Sequence, residues 1–154
     1  MKNSNIQYSI NRTTLLQIIE HLTACDSGFI PALSTQVKLD QYSQKILENA
    51  TRFEAFSNNQ LVGLMACYFN DYKKQIGFIT NVSVMSAFNG KGIAKNLLSR
   101  LLEFAAKNNF YAINLEVNKL NLPALSLYKS FGFTLTNEKH SVLEMTIQIS
   151  NNNK

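Results

Sequence analysis

The chain has 154 residues, the size of one domain with a hydrophobic core of its own and no need of a second. Apolar residues make up 45% and charged residues 16%, which excludes a disordered chain, and no apolar run approaches the length of a membrane span. The net charge of +5 suits an anionic ligand, yet the lysines are scattered and never interleave with aromatics, so no nucleic-acid face is expected. Residues 1–150 are read as a single domain, with 151–154 as a disordered polar tail. Cys25 and Cys67 stand far apart and share no metal-ligand spacing, so both are expected to be free, buried thiols and no metal site is assigned. The N-terminus shows no basic region followed by an apolar stretch, which leaves the cytoplasm as the default location.

In chain order, Ile6, Tyr8 and Ile10 alternate with polar residues and predict a short opening strand. Thr13 or Thr14 then caps a helix whose apolar face is Leu15, Leu16, Ile18, Ile19 and Leu22, ending at Asp26-Ser27-Gly28. Phe29 to Leu39 has no period, but its apolar residues mark a lid rather than a solvated linker. Asp40 is expected to cap a second helix, Gln41 to Ala50. Thr51 to Ser57 and Gln60 to Phe69 read as strands joined by a tight turn at Asn58-Asn59, and Asp71 to Lys74 turns into the next strand, so residues 51–85 form an antiparallel meander. His21 and His140 lie outside the cleft-forming segments and are expected at the surface.

Ile76 to Met85 is a strand with Ile76, Phe78, Val82 and Val84 on one face and Gly77, Asn81 and Ser83 on the other, a period-two pattern broken at Thr80. From Ile93 the apolar positions Leu97, Leu98, Leu101, Leu102 and Ala105 recur at three- and four-residue steps, the signature of an amphipathic helix. Between them, Gly90-Lys91-Gly92 allows either a tight turn or a phosphate cradle. Free N–H groups at the helix start and the positive end of its dipole favour an anion, and Lys91 and Lys95 add charge.

Tyr111 to Val117 follows as another strand, parallel to the Ile76–Met85 strand because a helix intervenes. Asn121 to Ser130 is a short helix closed by Gly132, and Ser141 to Ile149 is a last alternating strand. Asn121 serves as a cap, which leaves room for ligand contact as well.

The loop Asn89-Gly90-Lys91-Gly92-Ile93-Ala94, then Leu115-Glu116-Val117, Asn121, Ala124, Leu127-Tyr128 and Gly132-Phe133, stand in one order after a meander. In this the chain resembles the GCN5-related N-acetyltransferase (GNAT) superfamily from Ile6 to Ile149, and the distal segment is similar in spacing to the protein N-terminal alanine acetyltransferases of bacterial ribosomes. The resemblance implies an α+β fold in α/β/α layers. Its sheet is mixed and mostly antiparallel, with six to seven strands splayed between the fourth and fifth and about four flanking helices. It implies an acetyl-CoA-dependent N-acetyltransferase that moves an acetyl group to a primary amine by direct attack in a ternary complex. The cofactor residues it implies are Val82, Ser83 and Val84 along the pantetheine arm, Asn89, Gly90, Lys91, Gly92, Ile93, Ala94 and Lys95 around the pyrophosphate, and Asn121. Asn89 stands where the family loop has arginine or glutamine, and Asn118 follows Leu-Glu-Val where those ribosomal enzymes have arginine.

The same resemblance implies Tyr128 as general acid for the departing thiolate and Glu116 as general base, with Asn81 positioning a water or the acceptor. The oxyanion hole falls to the N–H of Val84 or a neighbour. Structural readings stand beside these: Tyr128 as a core aromatic, Glu116 as the partner of a lysine. A nonenzymatic acyl-CoA sensor, an acyltransferase using another acyl-CoA, and an unrelated nucleotide-binding domain are the alternatives. The partner is a small-molecule or peptide amine, without nucleic acid or membrane, in a monomer or homodimer. Acceptor choice is assigned to Asp26–Ala50 and to the hairpin near Asn137 to His140, with Phe29, Tyr42, Phe53 and Tyr72 as candidate walls.

Overall fold

A computed structural model describes residues 5–149, so the expected tail lies outside the described residues. In chain order the strands are β1 (Gln7–Ile10), β2 (Thr51–Ser57), β3 (Gln60–Asp71), β4 (Ile76–Val84), β5 (Ala112–Asn118), β6 (Thr134–Lys139) and β7 (Val142–Gln148). The helices are α1 (Leu15–Cys25), α2 (Leu39–Asn49), α3 (Ile93–Lys107) and α4 (Leu122–Phe131). The strands form one sheet in the order β1-β2-β3-β4-β5-β7-β6, and among the described residues its only parallel pair is β4 with β5. The expected mixed, mostly antiparallel sheet is therefore present, with seven strands and four helices among the described residues.

Two cores lie on opposite faces of this sheet. Ile93, Leu97, Leu98 and Leu101 of α3 and Leu125 and Tyr128 of α4 pack with Phe53, Met65, Ile79, Ile113 and Leu115. Ile18 and Leu22 of α1 and Ile46 of α2 pack with Leu61, Leu64 and Ala66 on the other side. The β2–β3 hairpin turns as its sequence requires, with Asn58 and Asn59 at φ 49° and 64°, the paired left-handed geometry that asparagine tolerates.

The start of α1 is fixed by two sets of bonds. Thr14 and Gln17 form a reciprocal capping box, in which the Thr14 hydroxyl accepts from Gln17 N at 3.2 Å and Gln17 Oε1 accepts from Thr14 N at 2.9 Å. Beneath it Glu54, fully buried in β2, accepts from Ser9 Oγ at 2.8 Å, Arg12 N at 2.8 Å, Thr13 N at 2.9 Å and Thr13 Oγ1 at 2.7 Å, with Arg52 Nε 3.4 Å away. A carboxylate so deeply buried persists because every lone pair has a partner and a guanidinium balances its charge.

Four details differ from the sequence expectations. Lys38, not Asp40, holds the cap position of α2, and Asp40 lies in the helix's first turn, where its charge meets the positive end of the dipole. The strand β6 was not marked by periodicity, because Thr-Leu-Thr-Asn-Glu-Lys is exposed on both faces at the sheet edge and has no buried side to encode. Phe53 is a fully buried core residue, and Tyr72 is exposed on the β3–β4 turn, so neither is a pocket wall.

The fourth concerns the faces of β4. Thr80 is an extra residue in this strand: Ile79 is opposite Cys67 while Asn81 is opposite Ala66. A bulge of this kind shifts the alternation by one. Gly77 and Ile79 face the α3 core, and beyond the bulge Val82 and Val84 do so. Ile76 and Phe78 consequently do not share a face with Val82 and Val84, while Asn81 and Ser83 lie on the α1–α2 side beside Ala66 and Leu64. The break read at Thr80 was the bulge itself.

Candidate active site

The parallel ladder between β4 and β5 covers only Ile76–Ile79 against Ala112–Leu115. Thr80–Val84 on one strand and Glu116–Asn118 on the other have no partner across this gap, so the sheet opens into a groove with unpaired strand edges as its sides. Two adjoining cavities of about 410 Å³ and 270 Å³ fill it, and both are lined by Val82, Asn121 and Ala124.

The smaller cavity ends at the start of α3. Gly92, at φ 76°, caps the helix without any side-chain bond, so the N–H groups of its first turn remain available as donors. Together with the helix dipole they form an anion-binding end that needs no cationic side chain. Gly63 allows this end to sit close to the sheet: a methyl there would stand 2.7 Å from Ile93 Cγ2 and 3.3 Å from Ala55 Cβ. Val82, Ser83, Val84, Asn89, Gly90, Gly92, Ile93, Ala94, Lys95 and Asn121 all line this cavity. Lys91 is exposed and outside the lining, which confines it to a longer-range electrostatic effect. Asn121 caps α4 through Oδ1, which accepts from Ala124 N at 3.3 Å, and lies where the two cavities meet.

The larger cavity brings together Tyr128, Glu116 and Asn81. Tyr128 is 4% exposed, its ring packs on Phe133 with centroids 5.5 Å apart, and burial pushes the phenol well above its ordinary range, so it stays protonated. Glu116 is exposed at the groove and makes no hydrogen bond or ion pair among the described residues. Across the ladder it faces Glu144, which Lys139 holds at 2.8 Å. The α1–α2 connection closes the remaining side with Phe29, Ile30, Leu33 and Val37, which places the expected lid over the groove. Tyr42 of α2 pins the bulge by donating from Oη to Thr80 O at 2.7 Å.

Asn81 belongs to a buried chain that the sequence reading missed. His21 is 2% exposed, contrary to the surface position expected, and burial among neutral groups lowers its pKa to about 4. Its Nδ1 lies 3.0 Å from Leu61 O and its Nε2 2.9 Å from Ser83 Oγ, which in turn lies 2.8 Å from the Asn81 side-chain amide. A carbonyl only accepts, so the single proton of the neutral ring is on Nδ1, and Nε2 takes the Ser83 hydroxyl proton. The chain then closes with the Asn81 amide turned so that its nitrogen donates to Ser83. This orientation gives the amide nitrogen a partner and leaves the amide oxygen buried behind the wall of the groove that Asn81 lines. The spacing of Ile18, His21, Leu22 and Cys25 on one helical stripe was the available signal for a buried histidine.

Comparisons with known proteins agree with this geometry. The N-acetylaspartate synthetase of Danio rerio is 37% identical over 84 residues, 54% of this chain and 29% of that protein. The N-alpha-acetyltransferase MAK3 of Arabidopsis thaliana is 30% identical over 82 residues, 53% of this chain and 43% of that protein. The chain thus matches less than half the length of these curated relatives. Among solved structures, the ribosomal-protein-S18-alanine N-acetyltransferase of Escherichia coli superposes with a TM-score of 0.77 over 95% of each chain at 17% identity. The PaiA N-acetyltransferase of Thermoplasma acidophilum, in complex with coenzyme A, gives 0.76 over 92% of this chain and 99% of that one at 16% identity. A profile of the acetyltransferase (GNAT) family matches residues 15–133, and with the splayed sheet and the glycine-capped helix already in place, the chain belongs to that family.

Proposed function

We propose that the protein transfers an acetyl group from acetyl-CoA to a primary amine. The observation that carries this reading is the join of two cavities at Asn121, one ending on the anion-binding start of α3 and the other holding Tyr128 and Glu116. An extended pantetheine arm can pair with the free edge of Val82–Val84 as an added strand would, while the pyrophosphate meets the N–H groups beyond Gly92. Two of the relatives bear acetyltransferase names and another is an N-acetylaspartate synthetase, and one structural neighbour is a coenzyme A complex.

The chemistry follows from what each side chain can do. Glu116, the charged residue of the larger cavity, takes a proton from the ammonium directly or through water, and the neutral amine attacks the thioester carbonyl. Negative charge develops on the carbonyl oxygen, and a backbone N–H of the splayed strand near Val84 is the donor we assign to it. As the C–S bond breaks, the thiolate takes the Tyr128 proton. The deep burial of that phenol supports this role, because the hydroxyl stays protonated until an anion forms beside it. The nitrogen, now bonded to the acyl carbon, sheds its second proton through water, which restores the Tyr128 hydroxyl, and the Asn81 side chain, lining the same cavity, positions that water or the acceptor.

The relatives' names do not agree on an acceptor: aspartate in one set, streptothricin in another, an α-amine in a third. The acceptor is therefore taken from this groove rather than from any one relative. Two free, buried cysteines are in keeping with a reducing compartment, and we place the protein in the cytoplasm.

A thermal shift series with acetyl-CoA, ATP and NAD tests this reading. At a hundredfold excess over Kd, acetyl-CoA is expected to add about 2.7 kcal/mol, or roughly 5–10 °C in Tm for a chain of this size. No shift with acetyl-CoA, or an equal shift with all three, refutes it.

A further inference from the structure

Charge in the larger cavity is distributed unevenly. Among the described residues its lining contains one charged side chain, the Glu116 carboxylate, and no lysine, arginine or histidine. Among the described residues Glu116 has no ion-pair partner, whereas Lys139, which feels its charge, is held by Glu144 at 2.8 Å. The wall contributed by the α1–α2 connection is largely apolar, with Phe29, Ile30, Leu33 and Val37 and with Phe78 from β4 beside it, and its polar member, Gln36, donates its amide N–H to Pro31 O at 2.8 Å. No helix start opens into this cavity except that of α4, whose cap is already filled by Asn121.

From this we infer that the acceptor is a primary amine bearing an apolar group, with no carboxylate close to the nitrogen. The inference rests on the acetyltransferase reading and specifies its second substrate. The ammonium is drawn to Glu116, and the apolar substituent lies against Phe29, Ile30, Leu33 and Val37. A carboxylate on the neighbouring carbon would enter the same space with no cation or free helix start to receive it, close to a like charge. Such a group lowers both occupancy and the yield of the neutral amine. A free amine and the first residue of a peptide share this chemistry, since an amide bond removes the carboxylate in the second case.

The test uses the full chain, saturated with acetyl-CoA, and measures kcat/KM for leucinamide, leucine, aspartate and a short peptide beginning with leucine. Leucinamide is expected to exceed leucine by about tenfold or more, and aspartate by a further about tenfold, from the repulsion of one and two uncompensated carboxylates. The peptide distinguishes the sources: turnover above leucinamide identifies a protein α-amine, turnover below it a free amine. Val37→Arg, which adds a cation to the wall, is expected to lower kcat/KM for leucinamide about tenfold and to narrow its lead over leucine, without changing the affinity for coenzyme A. Phe29→Ala provides a second variant, with the loss confined to KM for the apolar substituent.

Equal turnover of aspartate or leucine overturns the inference and leaves the acetyltransferase reading intact. Binding of coenzyme A without turnover of leucinamide or of the peptide overturns it as well. Absence of coenzyme A binding overturns both.

Discussion

Burial of a neutral imidazole makes stability depend on pH in a window that few other groups control. His21 has a pKa of about 4 in the fold against an ordinary 6.5. Unfolding therefore takes up a proton between these values, and stability must fall as pH drops through the window. The contribution is intact above about pH 6.5 and declines toward about pH 4, at up to about 1.4 kcal/mol per pH unit. Between about pH 7.5 and pH 5 the integrated loss is about 2 kcal/mol. His21→Gln keeps an amide donor and acceptor in the site but cannot titrate. It costs about 1–3 kcal/mol at neutral pH, because neither Leu61 O nor Ser83 Oγ finds an equally placed partner. Urea unfolding of both proteins at the two pH values separates these terms: the wild-type midpoint moves by about 1 M more than that of the variant, given a slope of about 2 kcal/mol per M. Equal displacement of the two midpoints refutes the buried neutral assignment, and with it the proton placement on Nδ1.

Three further outcomes are expected. Tyr128→Phe lowers kcat by about 10²–10⁴ with little change in the affinity for acetyl-CoA, measured by turnover and calorimetry, since only the proton for the thiolate is lost; unimpaired turnover at every pH removes Tyr128 from the mechanism. Gly92→Ala forces a side chain into φ 76° and costs about 1–2 kcal/mol in denaturant unfolding, and it weakens coenzyme A binding because the first turn of α3 no longer presents its donors correctly. Glu54→Gln turns an amide N–H toward donors that both carboxylate oxygens now accept, and leaves Arg52 uncompensated. A loss of about 3–5 kcal/mol is expected in thermal or urea unfolding, and a change below about 1 kcal/mol would contradict the account of that cluster.

Much of the candidate site's local backbone geometry was legible because it depends on residue types with few substitutes. Gly90 and Gly92 occupy left-handed backbone positions, Asn121 accepts from the N–H of Ala124 at a helix start, and Gly132 ends α4 at φ 103°. Each of these is local, and local chemistry can be read from spacing. The fold was legible for a related reason: the meander and the crossover helix carry their burial openly in the continuous apolar run of β3 and the stripe of α3. What escaped depends on distant partners. His21 is held by Leu61 and Ser83, 40 and 62 positions away, and nothing near it in sequence shows that it will be enclosed except its place on an apolar stripe. Phe53 and Tyr72 look alike as aromatics on strand ends, yet one is sealed under α3 and the other is in solvent. β6 has no inner face, so no pattern could announce it.

The extra residue at Thr80 has a consequence for how this site can change. Ile79 and Asn81 oppose adjacent residues of β3, Cys67 and Ala66, so the extra residue is taken up without changing which side chains meet α3 and which meet α1. Removing Thr80 would leave Val82 and Val84 on the α3 side and Asn81 and Ser83 beside Ala66 and Leu64, in a strand that simply alternates. What would go is the bulge itself, with the Tyr42 bonds to Thr80 and the irregular edge that lines the groove. The outline of the cleft and its tether to α2 can therefore change by one residue while both cores stay as they are.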